Sequence, residues 1–309
     1  MFPPPRVIEA EVFACLPDSL RKDGVSSEWL EMQLAGAGAG WPRHSFLEGP
    51  AFDRDGNLYC VDIPFGRVFR VTPEGEWEVA ADYDGNPNGL AIHRDGRLFI
   101  ADCRLGVMVM EPESGHVEPF FQRSAFEHLK GVNDLFFATN GDLYVTDMGQ
   151  SGLQDPTGKL YRIRPDGAHE ILLDNVPGPN GLVLNLAETA LYLAATRLNA
   201  VWTCPLTRHG MPTRVGTFVT LQGGMGPDGL ALDTEGSLAV AHVGFGAVWL
   251  FSARGEPLVR IEPPEGCRLT SNLAYGGPDN RDLYITEAAS GQILRARMEV
   301  PGKPLFSHA

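Results

Sequence analysis

Six residues with oxygen-bearing side chains recur at regular intervals: Glu48, Asn88, Asn133, Asn180, Asp228 and Asn272. Each stands just ahead of a short apolar run. The clearest copies are Pro87-Asn88-Gly89-Leu90, Gly178-Pro179-Asn180-Gly181-Leu182 and Pro227-Asp228-Gly229-Leu230, with looser forms at Glu48-Gly49-Pro50, Asn133-Asp134-Leu135 and Asn272-Leu273. Carboxylates and amide carbonyls are hard oxygen donors, and a set of them brought together suits Ca2+, Mg2+ or Mn2+. No histidine or cysteine leads a copy, which argues against a zinc site there. A single such residue reads more simply as a turn cap, since Asn and Asp favour turns. Turn chemistry alone would also admit Ser, Gly and Thr, so the whole set carries more weight than its members.

The leads are separated by 40, 45, 47, 48 and 44 residues, the period of a propeller blade of four strands. After each lead comes an apolar strand, a turn and a second strand. Turns such as Asp55-Gly56, Asp95-Gly96 and Asn140-Gly141 are hairpin signals, because these residues tolerate positive φ. Third strands follow, several with period-2 alternation, for example Gly66–Val71 and Gly158–Ile163. Fourth strands are weaker, and the sixth unit lacks one. The segment before residue 40 fits no repeat. Within it Val7–Leu16 and Trp29–Leu34 read as strands and Gly36–Gly40 as a flexible connection. This segment is expected to supply the missing strand and close the ring, removing open sheet edges. The expectation is an all-β protein, one six-bladed β-propeller spanning residues 1–309, with four antiparallel strands per blade and blades starting near 48, 88, 133, 180, 228 and 272.

In a propeller the innermost strands line a central channel, so the leads converge at one mouth. The ends of the second strands return to the same face, at Asp62, Asp102, Asp147, Thr196, His242 and Glu287. Most of these acids read as strand-end caps. Asn88, Asn133, Asn272, His242 and Asp147 are the candidate substrate contacts.

Composition narrows the partners. The chain has 309 residues and a net charge of −14, which disfavours nucleic acid, whose phosphates need Lys and Arg. The same charge disfavours an anionic membrane surface, and no apolar run nears the ~20 residues of a membrane helix. The start, Met1-Phe2-Pro3-Pro4-Pro5-Arg6, lacks the apolar core of a signal peptide. Five scattered cysteines without a C-x-x-C pair point to reduced, mostly buried thiols and a cytoplasmic setting. Gly223-Gly224-Met225-Gly226 has neither dinucleotide nor Walker spacing. Asp53-Arg54-Asp55-Gly56-Asn57 has its glycine misplaced for a calcium loop.

In Leu47-Glu48-Gly49-Pro50, Val132-Asn133-Asp134, Gly178-Pro179-Asn180-Gly181-Leu182 and Gly226-Pro227-Asp228-Gly229-Leu230, taken in order, the chain resembles the gluconolactonase, senescence-marker-protein and luciferin-regenerating-enzyme family. The resemblance runs from about Phe46 to Arg297. It implies a six-bladed propeller with one divalent cation, Ca2+ foremost, with Mn2+, Mg2+ or Zn2+ open. It implies Glu48, Asn180 and Asp228 as metal ligands, with Asn133 beside them as ligand or substrate contact. Diisopropylfluorophosphatase, a relative, holds calcium with the same four-residue pattern. The activity implied is hydrolysis of a small sugar or aliphatic lactone, with Asp228 as general base for the attacking water. The alternatives are a phosphotriester or phosphofluoridate hydrolase on the same cation and a non-catalytic binding propeller. The expected state is a monomer or homodimer. One departure stands out: sugar-acid lactonases of the family carry an arginine two residues before the asparagine of the Asn-Asp pair, and here that position is Gly131.

Overall fold

Tight turns join short strands whose outward faces alternate, and the strands collect into six small sheets arranged as a ring. The computed structural model describes residues 2–34 and 44–308, the side chains of residues 33 and 34 excepted. The Gly36–Gly40 connection lies outside the described residues.

The inner strands of blades I to VI are Leu47–Phe52, Pro87–Ile92, Val132–Phe137, Pro179–Leu184, Gly226–Leu232 and Thr270–Gly276. In blades I to V the chain runs outward through three further strands, each antiparallel to the last. Each inner strand packs beside the next, and Thr270–Gly276 returns to Leu47–Phe52. The core lies between blades: Val61 and Val68 of blade I, for example, pack on Leu90, Ile100 and Met108 of blade II. Burying each such side chain contributes roughly 1.5–3 kcal/mol.

The amino-terminal segment closes the ring as expected, but as two strands. Glu11–Cys15 pairs antiparallel with Gln292–Arg297 and is the fourth strand of blade VI. Arg6–Glu9 adds a fifth, parallel strand to the outer edge of blade V. The Trp29–Leu34 segment is a helix, Glu28–Leu34, rather than a strand. Ser27 Oγ accepts from Leu30 N at its start, and acidic Glu28 and Glu31 suit its first turn. Trp29 and Leu30 bury against Ile63, and Trp29 meets Phe46 edge-on at 4.9 Å. These contacts set the helix over the mouth of the channel. The carboxy-terminal residues cross the opposite end, where Lys303, Leu305 and Phe306 cap an 80 Å3 chamber lined by the inner strands.

The five cysteines are free, with Cys60 and Cys204 buried, Cys103 and Cys267 half-buried and Cys15 exposed. The thiols are thus less uniformly buried than composition suggested. Among the described residues no helix is long and apolar enough to cross a membrane.

Candidate metal centre and substrate pocket

Every inner strand carries one extra residue against its partner strand. Val132 pairs with Asp147 and Leu135 with Val145, so Asn133 and Asp134 together face one residue, Thr146. The other inner strands also gain one residue: two face one in blades I, IV, V and VI, and in blade II Asn88 alone is unpaired between Pro87 and Gly89. Such a bulge bends the strand and re-aims its side chains. The first residue of the bulge is Asn133, Asn180 and Asp228 in blades III to V; Asn88 is itself the extra residue of blade II, and Glu48, paired with Val61, immediately precedes the bulge of blade I.

In blade VI the register corrects the sequence reading. Thr270 pairs with Glu287 and Leu273 with Ile285, so the first bulge residue is Ser271 and Asn272 is the second. Ser271 is buried and turned between blades, its Oγ donating to Leu47 O at 3.0 Å. Asn272 is instead the counterpart of Asp134. In the other four blades a glycine follows the lead residue: Gly49, Gly89, Gly181 and Gly229.

The channel therefore has two polar layers. The upper one, Glu48, Asn88, Asn133, Asn180 and Asp228, lines a mouth pocket of about 280 Å3. The lower one is Asp134 and Asn272, from opposite blades, joined by Asn272 Nδ2 donating to Asp134 Oδ2 at 3.4 Å. Both are clamped alike: Thr146 Oγ1 accepts from Asp134 N at 2.9 Å, and Thr286 Oγ1 from Asn272 N at 3.0 Å. The glycines make room for this pair. A Cβ on Gly89 would lie 2.5 Å from Asp134 Oδ1, and one on Gly229 2.0 Å from Asn272 Oδ1.

The electrostatics of the two layers are unbalanced. Glu48, Asp134 and Asp228 are all buried, and none forms an ion pair with Lys or Arg among the described residues. Burial first, then the charge of Asp228, raises Glu48 well above the usual carboxylate range. Burial, then Asp134, pushes Asp228 up to about 8, with partial relief from Asn180 and Arg197. Burial likewise lifts Asp134 to about 6. Buried acids of this kind need protons, cationic partners or a metal ion. Asn88 Nδ2 is directed to Cys103 Sγ at 3.5 Å and Asn133 Nδ2 to Met148 Sδ at 3.8 Å, which leaves each amide oxygen as the available branch. Carboxylate and amide oxygens without nitrogen or sulfur ligands are a donor set that fits a hard divalent cation. Among the described residues no group of three or more His, Cys, Asp and Glu could hold a metal, so any cation here must draw on the amides.

The second-strand ends do not line the pocket as a group. Asp62, Asp102, Asp147 and Glu287 each accept from the amide just ahead of their own inner strand, at Phe46, Asn86, Gly131 and Leu269. They act as buckles that fix where each inner strand begins. Asp147 is thus turned to the backbone rather than to the pocket. His242 is spent as well. Trp249 Nε1 donates to its Nδ1 at 3.3 Å, so Nε2 carries the proton and meets Gly223 O at 3.0 Å. Burial lowers its pKa, and Phe245 stacks on it at 4.7 Å. Of the candidate substrate contacts, Asn88 and Asn133 line the pocket, whereas Asn272, His242 and Asp147 do not.

Sequence reasoning missed Asp134 as a member of the channel, although it sits beside Asn133 in the quoted motif. It also missed Trp29 and Met32, which reach the pocket from the helix above, and Arg197, which lines it from the turn after the second strand of blade IV.

Residues 46–289 match the family model described as SMP-30/Gluconolactonase/LRE-like region. Lactonase drp35 of Staphylococcus aureus strain MRSA252 is 30% identical over 275 residues, covering 83% of this chain and 80% of that protein. The solved structure of a calcium-binding protein, regucalcin, from Agrobacterium tumefaciens strain C58 superposes with a TM-score of 0.75 at 24% identity, covering 85% of this chain and 94% of the other. A gluconolactonase from Xanthomonas campestris gives 0.73 at 24% identity, with 95% and 97% covered. Those two likenesses speak to the fold.

Proposed function

The chain belongs to the SMP-30/gluconolactonase/LRE-like family, and from that premise we propose that it is a lactonase working at the mouth of the propeller channel. In this reading Glu48, Asn180 and Asp228 hold one divalent cation, Ca2+ foremost, and Asn133 lies beside it as a ligand or substrate contact. The observation that carries the reading is the pair of buried carboxylates, Glu48 and Asp228, facing a lined pocket without a cationic partner. The naming of similar proteins as a lactonase and as calcium-binding supports it.

A bound cation would polarise the lactone carbonyl and stabilise the negative charge that develops on its oxygen. The chain's own residues supply the rest. Asp228 would take a proton from the attacking water, as its general base. The water oxygen bonds to the carbonyl carbon, the ring C–O bond breaks, and the ring oxygen receives the proton back. The product is the open hydroxy acid. Asn180, hydrogen-bonded to Asp228, fixes the direction of that carboxylate. Trp29, Met32 and Phe46 exclude water from one side of the pocket.

The experiment is a panel of lactones and paraoxon-like esters, assayed on chelator-treated protein before and after each divalent cation is restored. Lactone turnover that vanishes with chelation and returns with Ca2+ is the expected result. Turnover of the phosphotriesters alone would move the reading to that chemistry.

A further inference from the structure

Two cationic side chains line the mouth pocket, Lys130 ahead of the inner strand of blade III and Arg197 after the second strand of blade IV. Both are exposed, and neither has an ion pair or a side-chain hydrogen bond among the described residues. Their neighbours hold them by the backbone. Lys130 N donates to Asp147 at 2.9 Å, and Arg197 N to Pro177 O at 3.2 Å. Each stem also lies against a glycine of positive φ. A Cβ on Gly149 would come 3.1 Å from Lys130 Cβ, and one on Gly178 would come 2.7 Å from Arg197 Cγ. Any larger residue at either glycine would have to displace the stem. The two cations are therefore braced at adjacent blades, above the polar layer.

A charge count says what they are for. A divalent cation would balance Glu48 and Asp228, the two ionised acids of the upper layer. Lys130 lies near the Asp147 carboxylate and Arg197 near Asp228, yet neither side chain is ion-paired among the described residues, so both can meet an anion at the entrance of a protein whose net charge is −14. A cleft lined with one sign of charge attracts and orients a ligand of the other. The wall over blade I is different in kind. Trp29, Met32 and Phe46 offer hydrocarbon and aromatic surface with little hydrogen-bonding capacity. Gly131 contributes nothing polar, and a Cβ there would already lie 3.1 Å from Gly149 Cα, so a longer side chain is sterically opposed.

We propose that the substrate is a lactone bearing a carboxylate, its acid group held by Lys130 and Arg197 and its hydrocarbon part set against Trp29, Met32 and Phe46. A polyhydroxylated sugar lactone would offer the two cations hydroxyl acceptors but no opposite charge, and would put hydroxyls against apolar carbon. This rests on the lactonase reading above and narrows it.

The test compares two γ-substituted butyrolactones of equal length on the cation-loaded enzyme, one ending in a methyl group and one in a carboxylate. The readout is the carboxylate-to-alkyl ratio of kcat/KM in the wild type, in Lys130→Gln, in Arg197→Gln and in the double variant. The expected result is a wild-type ratio well above one that falls about tenfold for each charge removed, as for partly exposed charge-assisted contacts. Lys130→Arg and Arg197→Lys should keep most of it, and added salt should erode it. A ratio at or below one in the wild type, or one unchanged in the double variant, overturns the inference while leaving a lactonase. If neither lactone is opened, the lactonase reading fails, and the binding of the matching lactam carboxylate still decides the inference. Calorimetry should show at least tenfold weaker binding to the double variant, and equal affinity would overturn the inference. Melting curves of each variant establish that it is folded.

Discussion

Asn272 Nδ2 donates to Asp134 Oδ2 at 3.4 Å, across 138 residues of chain and across the axis of the ring. Blades III and VI, which share no sheet, are thereby joined directly beneath the pocket. Asn272→Asp turns this contact into a pair of buried carboxylates that must share a proton. Their folded-state pKa is then raised above the unfolded value, so the stability they allow is present at low pH and lost as pH rises. Urea unfolding of the cation-free variant should show a loss of about 1–3 kcal/mol relative to wild type near pH 5, and a larger one at pH 8. Equal losses at the two pH values would mean that the two side chains do not face each other.

The same linkage governs the wild-type protein without cation. Glu48 and Asp228 bind protons more tightly folded than unfolded, Asp228 up to about 8. Between about pH 4 and pH 8 the folded state holds more protons, so stability falls as pH rises. The melting temperature after chelation should drop on the order of 5 °C or more from pH 5 to pH 8. Saturating Ca2+ should remove most of that slope, because the cation replaces the protons. Scanning calorimetry with chelator and with Ca2+ checks both halves.

Gly229 stands where any side chain would strike the Asn272 amide, its added Cβ falling 2.0 Å from Asn272 Oδ1. Gly229→Ala should destabilise the protein by about 1–3 kcal/mol through overpacking. Gly216→Ala is the control, since nothing lies within 4 Å of its added Cβ. Denaturant midpoints of the two variants should separate clearly.

Asp228→Asn preserves shape and removes the charge that the proposed chemistry uses. It should fold, melt at or above the wild-type temperature when cation-free at pH 8, and lose at least a hundredfold in kcat on its best lactone. Near-normal kcat would assign the proton transfer elsewhere.

The ring was legible in the sequence because turn chemistry and the spacing of leads repeat at every blade. Glu48, Asn88, Asn133, Asn180 and Asp228 were placed correctly at the mouth for the same reason. Blade VI misled by a single residue. Asn272 has the right type and spacing to be a lead, but the bulge begins at Ser271, and only strand register reveals that. The acids at second-strand ends, read mostly as strand-end caps, do cap backbone amides, and Asp147, the one among them also offered as a substrate contact, is turned away from the pocket, a direction that spacing does not encode. The Trp29 segment read as a strand from its apolar residues, whereas capping by Ser27 and docking on Ile63 favour a helix. Arg197 carries no motif, whereas Lys130 stands beside Gly131, where the family's arginine is missing; the surrounding glycines and the pocket single both out.

The most direct measurement is calorimetric titration of Ca2+ into chelator-treated protein, wild type beside Glu48→Gln and Asp228→Asn, with lactone turnover followed on the same samples. One site per chain, turnover that rises in step with occupancy, and at least tenfold weaker binding in each variant is the predicted result. Undiminished lactone hydrolysis by protein that binds no cation, or binding that both variants leave unchanged, would contradict a metal centre built from these side chains.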